Sequence, residues 1–388
     1  MAYLARTLGV ERFGFIGFVS SISAYVILFA NFGIENSSTQ QLSSDRGLVS
    51  RRTIGTIIGT RSLLSIIFII PFIVFGFYYS QTMSEKLFFV FQSIVIFAYS
   101  FNLQYYFVAV REVKTLAFIR TGSAFLILAA TYCFIMGPSD LQYVALVSGC
   151  VTLLFYLWSV CHVFKRLGGA FSIPTFVDMK SLVRRSFPLG ISALMIQIYH
   201  SADIVFLGFT NPGVQLGYYT GAYRIINLIS AVPVLIYLTY VPDLAKITDG
   251  HSIAKATREY ILVVIGSGLA IVGICFYFSG DIVSLILGAQ FAPSRTVFQI
   301  LLLNAFLIYI NVAIAHLLMA WGENRSYLLV VSSGAAVNIV LNFVLIPLYG
   351  INGAAVATVC AEAAVCVAAW YHLRKKFHFS IAKVIHLR

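Results

Sequence analysis

The chain has 388 residues, is 60% hydrophobic and only 10% charged, and carries a net charge of +12. No soluble globular domain of this size has that composition, so it reads as a protein that spans a membrane. Its basic charge is spread between apolar stretches, as in loops facing anionic lipid, and does not point to nucleic acid.

Eleven long apolar stretches follow in chain order: 13–32, 62–80, 87–109, 116–136, 142–163, 187–209, 217–241, 258–278, 295–320, 326–348 and 352–372. Each reaches or approaches the ~20 residues that a helix needs to cross a bilayer. None alternates polar and apolar residues as the wall of a membrane barrel would. Of 26 basic residues, 21 fall in or at the edges of one set of gaps and only Arg6, Arg12, Lys86 and Arg295 in or at the edges of the other, with Arg224 alone deep inside a stretch. By the positive-inside rule the rich side, including the loop 164–186 and the C-terminus, is cytoplasmic, and Met1 lies outside. The organisation expected is an N-terminal lobe of five helices (1–165), a cytoplasmic linker (166–186), a C-terminal lobe of six helices (187–375) and a cytoplasmic tail (376–388). No cleavable signal peptide is visible, because the first apolar run follows Arg12 and lacks a small-residue cleavage site. The six cysteines all lie within apolar stretches without metal-ligand spacing and read as small packing residues.

An internal echo links the two lobes. Leu8-Gly9 matches Leu207-Gly208, and Gly14-Phe15 matches Gly217-Tyr218. This register pairs 13–32 with 217–241, and it leaves 187–209 without a counterpart except the stub Met1–Arg6. Two parallel lobes are a common transporter plan, and the register implies that a first helix is missing before Ala5.

No phosphate-binding loop, H-E-x-x-H or G-x-S-x-G motif occurs. The outer loops are too short for a catalytic domain, so transport is favoured over an enzyme, and no cofactor is expected. Polar groups inside the apolar stretches are then the functional candidates. Gln197, His200 and Asp203 lie on 187–209; Thr220, Arg224 and Asn227 share one face of 217–241. Asp203 and Arg224 both sit about 9–10 Å below the outer surface at ~1.5 Å per residue, so the two charges can meet. Arg224 is either a cavity cation tuned by Asp203, or part of a buried ion pair, or a side chain snorkelling to the interface. Glu362 stands in mid-span between alanines and is either a proton carrier or a hydrogen-bonding partner for a neighbouring helix. Asn338 and Asn342 read as interhelical glue. Arg6 and Arg12 read as interfacial anchors or as contacts for an exiting head group.

The turn L-A-R-T-L-G-V-E-R-F-G (4–14) with N-F-G-I (31–34), the hairpin D-I-V-F-L-G…L-G-Y-Y-T-G-A-Y-R-I (203–225) and the stretch from G-E-N-R-S-Y to A-T-V-C-A-E (322–362) resemble the polysaccharide flippases. These belong to the multidrug/oligosaccharidyl-lipid/polysaccharide exporter superfamily. The resemblance implies an all-α integral membrane protein, a two-lobed bundle of the MATE type, with about eleven transmembrane helices here because the family's first helix is absent. It implies a flippase for a polyprenyl-pyrophosphate-linked oligosaccharide, such as an O-antigen or capsule repeat unit, in a bacterial inner membrane. Energy would come from an ion gradient. The glycan would meet Arg224, Thr220, Asn227 and Arg6; Asp203, His200 or Glu362 would respond to the ion. A glycan polymerase and a chain-length regulator are the implied partners, with membrane lipid and without nucleic acid. A cation-coupled drug exporter on the same fold is the alternative, and a membrane glycan polymerase a more distant one.

Overall fold

The computed structural model describes residues 1–44, 51–168, 174–246 and 250–377. Among them there is no strand, and fourteen α-helices follow in order. They are α1 (Ala2–Leu8), α2 (Val10–Asn31), α3 (Ile34–Ser44), α4 (Arg51–Tyr79), α5 (Met83–Ala98), α6 (Gln104–Ala109) and α7 (Val113–Phe134). Then come α8 (Leu141–Leu167), α9 (Phe176–Thr210), α10 (Val214–Lys246), α11 (Gly250–Tyr277), α12 (Ser279–Leu287), α13 (Ser294–Ala320) and α14 (Asn324–Phe377). Ten helical stretches among the described residues are long and apolar enough to cross a membrane. The last, α14, is broken at Gly350 (φ 55°, ψ −131°), a backbone conformation that suits glycine alone. Cutting it there restores the two stretches expected at 326–348 and 352–372, giving eleven spans.

The spans differ from soluble helices in which face they show. On α4, Leu63, Ile66, Ile67, Ile70, Val74 and Phe77 form one stripe and are exposed, while Ile54, Ile57, Arg61 and Ser65 are buried. In water that stripe would be an aggregation hazard; in hydrocarbon it is the solvated face.

Several ends are longer than hydropathy suggests. The expected gap 33–61 holds α3 and the first eleven residues of α4. The linker expected at 166–186 is shorter, because α9 starts at Phe176. Residues 169–173 of that linker, and the tail beyond Phe377, lie outside the described residues. Arg51, at the start of α4, closes the end of α8: its guanidinium donates to the carbonyls of Leu167 (2.7 Å) and Gly168 (2.6 Å). A cation there satisfies the orphan carbonyls and faces the negative end of the helix dipole.

By packing, the chain divides into two compact units, Val19–Gln197 and Met1–Phe18 with Ile198–Arg388. The cuts fall inside α2 and α9, away from the linker where a lobe boundary was expected. In the first unit, α9 packs early: Ser37 and Ser186 share a hydrogen bond of 2.6 Å, and the turn at Gly33 leaves no room for a side chain against Gly190. Its core gathers Ile57, Leu103, Tyr106, Phe107, Ile119 and Leu182. In the second unit, α13 is the most buried of the spans and packs on α10, α11 and α14. Here α2 crosses α10 so closely that a Cβ on Gly14 would lie 2.8 Å from the Cα of Gly217. These are the two glycines that the internal echo aligns. Small residues at such a crossing let backbones approach in a bilayer.

Candidate functional site

In the unit formed by Met1–Phe18 and Ile198–Arg388, the polar side chains gather on α9, α10, α13 and both halves of α14. Asp203 on α9 is buried at 1% exposure. Its carboxylate accepts from the hydroxyl of Tyr219 and from the Ile204 N–H at 2.8 Å, with the Thr358 hydroxyl 3.5 Å away. One turn beyond Tyr219, Tyr223 donates to the carbonyl of His200 at 2.7 Å. The face of α10 turned to α9 is therefore Tyr219 and Tyr223, whose rings stack at 5.9 Å.

That choice of face overturns one expectation. Asp203 and Arg224 share a depth but form no ion pair among the described residues. Arg224 follows Tyr223 by one residue, a rotation of about 100° at 3.6 residues per turn, and so points away from Asp203. Its guanidinium lies 5.7 Å from the Phe13 ring centre, and its Nε–H has no hydrogen-bond partner. Thr220, on the same face, is buried where Gly17 of α2 comes against it. The third member of that face, Asn227, is exposed and borders a cavity. Arg6 lies elsewhere: it donates to the Leu285 carbonyl in the last turn of α12, while Gln290 donates to the Ala5 carbonyl at 2.8 Å. It fastens α1 to α12 and does not join the other candidates.

The cavity has a volume of about 230 Å³. His200, Asn227, Thr358 and Glu362 border it, so three of the sequence candidates share one cavity. Glu362 is buried at 5% exposure. Its carboxylate and its backbone carbonyl both accept from the Asn311 amide, the latter at 3.1 Å, and the Tyr199 hydroxyl bonds to the same carboxylate. The hydrogen-bonding alternative for Glu362 is thus realised through α13 and α9. Sequence reasoning missed Asn304, Asn311 and His316, which line the same cavity from α13. Asn304 and Asn311 are seven residues apart, which puts them on one helix face; that spacing inside an apolar run was the available signal. Asn338 and Asn342 bond one another along α14 at 2.9 Å.

The other unit holds a buried cation that the sequence assigned to a loop. Arg61, 2% exposed, donates to the Asn102 carbonyl at 2.9 Å, where the chain breaks between α5 and α6. It lies 5.3 Å from the Tyr105 ring centre and 3.7 Å from the Glu35 carboxylate. Arg224 is thus not the sole basic residue within a span. The polar run Gly55-Thr56…Gly59-Thr60 ahead of Arg61 dilutes the hydropathy that marks the start of α4.

A family model described as "Polysaccharide biosynthesis protein" matches residues 1–248, well over half of the chain. The chain belongs to this polysaccharide biosynthesis protein family. Among solved structures, this family member is similar to a lipid II flippase, MurJ, in an inward closed conformation. The TM-score is 0.73 at 15% identity, over 98% of this chain and 85% of that one. A multidrug resistance MATE transporter of the MOP superfamily in an inward-facing conformation gives 0.67 at 14% identity, over 100% and 94%. A MOP superfamily transporter from Pyrococcus furiosus gives 0.56 at 15% identity, over 96% and 88%. At such identities the likeness establishes the fold, an all-helical membrane bundle of the MurJ and MATE type. No curated protein matches this family member in sequence.

Proposed function

We propose that the chain is a flippase that carries a polyprenyl-pyrophosphate-linked oligosaccharide repeat unit from the cytoplasmic to the outer leaflet of a bacterial inner membrane. The observation that carries this reading is the family match over residues 1–248 together with the fold shared with a lipid II flippase. Physical chemistry supports it. Sugars and a pyrophosphate cannot cross hydrocarbon unaided, since each unpaired polar group costs several kcal/mol, about 4–8 on a cyclohexane scale. A polar path must replace their hydration. Arg224 suits such a path, because a guanidinium whose Nε–H is unpartnered has a donor left for a phosphate oxygen. Asn227, three residues on and exposed, adds an amide for sugar hydroxyls. The ion gradient supplies the drive, with Asp203, His200 and Glu362 as the responsive groups; a unit charge moved through 100 mV releases about 2.3 kcal/mol. A glycan polymerase and a chain-length regulator would act on the delivered unit.

The test is complementation of a flippase-null strain, scored by surface glycan, with this chain expressed with and without added upstream sequence. The wild-type sequence is expected to restore glycan. Arg224→Ala should abolish it while the protein remains folded and inserted, and Arg224→Lys should restore little, because a point charge cannot replace the planar fork. Full activity of Arg224→Ala would remove Arg224 from the path, and failure of every form to complement, with correct insertion, would refute the flippase reading.

A further inference from the structure

In the unit Val19–Gln197, the first turns of α4 and α9 come together ahead of the apolar stretches that begin at 62 and 187. That position is level with lipid headgroups. Between the two helices is a pocket of about 250 Å³. Ile57 and Leu182, both buried, are part of its lining, and Arg52, Thr53, Asp178, Ser181 and Arg185 bring polar groups to it. Each helix thus contributes one guanidinium. The Asp178 carboxylate is already engaged: it accepts from Arg52 at 2.9 and 3.2 Å and from the Thr175 hydroxyl at 2.8 Å. Arg185 lies one turn beyond Ser181 on the same face of α9. It has no ion-pair partner among the described residues. Two guanidiniums against one carboxylate leave the pocket with one positive charge in excess.

The surroundings choose the ligand. Phe176 and Val177, each 75% exposed, and Phe187, 53% exposed, stand on the same turns of α9 as the exposed cations Lys180 and Arg184. Apolar side chains exposed beside cations mark a segment that meets the boundary between headgroups and acyl chains. We propose that this pocket seats the phosphate of one anionic glycerophospholipid of the cytoplasmic leaflet, with Arg52 and Arg185 as its cationic ligands and the Thr53 and Ser181 hydroxyls as further donors. A guanidinium bonds two phosphate oxygens at once, and the bridge to Asp178 holds the fork of Arg52 in place. A phosphodiester carries one negative charge, which matches the excess. A zwitterionic headgroup would bring an ammonium toward the same guanidiniums. Free phosphate shares the oxygen chemistry but has no acyl chains to lie along Phe176 and Phe187. So seated, the lipid ties the start of α9 to α4 beside the Arg52–Asp178 bridge. The site uses none of the residues proposed for transport, and the inference stands apart from the glycan reading.

The experiment uses the full chain, stripped of lipid in a neutral detergent. Native mass spectrometry counts bound dioleoylphosphatidylglycerol, with dioleoylphosphatidylcholine and inorganic phosphate as comparison ligands. One phosphatidylglycerol per chain is expected to bind ahead of phosphatidylcholine. Arg184→Gln removes one charge next to the pocket without altering its lining, so it measures diffuse attraction, about five-fold for one cation near a surface. Arg185→Gln should weaken phosphatidylglycerol binding about ten-fold more than that control, because charge-assisted hydrogen bonds are lost with the charge. Arg185→Lys keeps the charge and should fall between the wild type and Arg185→Gln. Both arginines are exposed, so thermal midpoints in detergent should match the wild type and keep lost binding apart from misfolding. Equal losses in Arg184→Gln and Arg185→Gln, or equal binding of the two lipids by the wild type, would overturn the seat. Displacement of phosphatidylglycerol by inorganic phosphate would overturn the lipid as its occupant. No glycan enters the assay, so its outcome and that of complementation are independent.

Discussion

Arg61 and Glu362 are each a buried charge within a span, one in each compact unit, yet their surroundings differ in kind. Arg61 is held from three directions, by a carbonyl at the α5–α6 break, an aromatic face and the Glu35 carboxylate. Tyr105, whose ring Arg61 meets, belongs to a close-packed apolar core with Ile57, Leu103, Tyr106 and Phe107. Glu362 is also hydrogen-bonded, but it borders an open volume whose lining includes unpaired oxygens. The difference separates a brace from a site. Arg61 keeps Nε and Nη2 without hydrogen-bond partners as well, so what sets it apart is the chain break it fastens, whereas Glu362 faces spare acceptors and open space.

The largest effect should come from the brace. Arg61→Leu is expected to destabilise by about 1–3 kcal/mol, the cost of leaving the buried Asn102 carbonyl at the chain break without its donor, seen as loss of monodisperse protein and a lowered thermal midpoint in detergent. Glu362→Gln keeps shape and one hydrogen-bond acceptor, and should stay within about 1 kcal/mol of wild type. Equal destabilisation by both would erase the distinction. A second test lowers stability without touching either charge. Gly217→Val should cost about 1–3 kcal/mol by forcing α2 from α10, seen as a lowered thermal midpoint; an unchanged midpoint would mean that the crossing tolerates a side chain. A third concerns orientation. A single cysteine at position 180, at the α9 end of the linker, should resist impermeant thiol reagents from outside, and strong labelling would invert the topology. The smallest effect belongs to an exposed pair. Lys376 beside Glu323 holds that carboxyl below its usual range. A carboxyl so depressed adds stability that is present above its unfolded value and lost as pH falls through its folded one. The exposed pair should contribute little, so Glu323→Gln is expected to leave the neutral-pH midpoint almost unchanged and to flatten only the acid limb of a melting series.

Much of the fold was legible because hydropathy is what a bilayer selects. The spans emerge near their expected places, and Gly14 and Gly217, aligned by a weak echo, meet in space. Two kinds of feature were not legible. Helix α3 reads I-E-N-S-S-T-Q-Q-L-S-S, which has no apolar periodicity; its order rests on tertiary contacts such as Ser37 with Ser186. The candidate site was half legible. His200, Asn227 and Glu362 were marked by polarity within apolar runs, but depth along a helix says nothing of azimuth, and so Asp203 was assigned to Arg224 when Tyr219 holds it. Asn311 stood 51 residues from Glu362 in an otherwise apolar run, and only packing could join them.

Gly350 has a consequence for biogenesis. It joins two spans through one residue of non-helical backbone, nested against the turn that carries Asn211 and Gln215. A nascent chain emerging there has no loop to thread across the membrane between the segments. The expected consequence is that the two helices leave the translocon together, with the last span, which carries Glu362, pairing with its predecessor as it enters the bilayer.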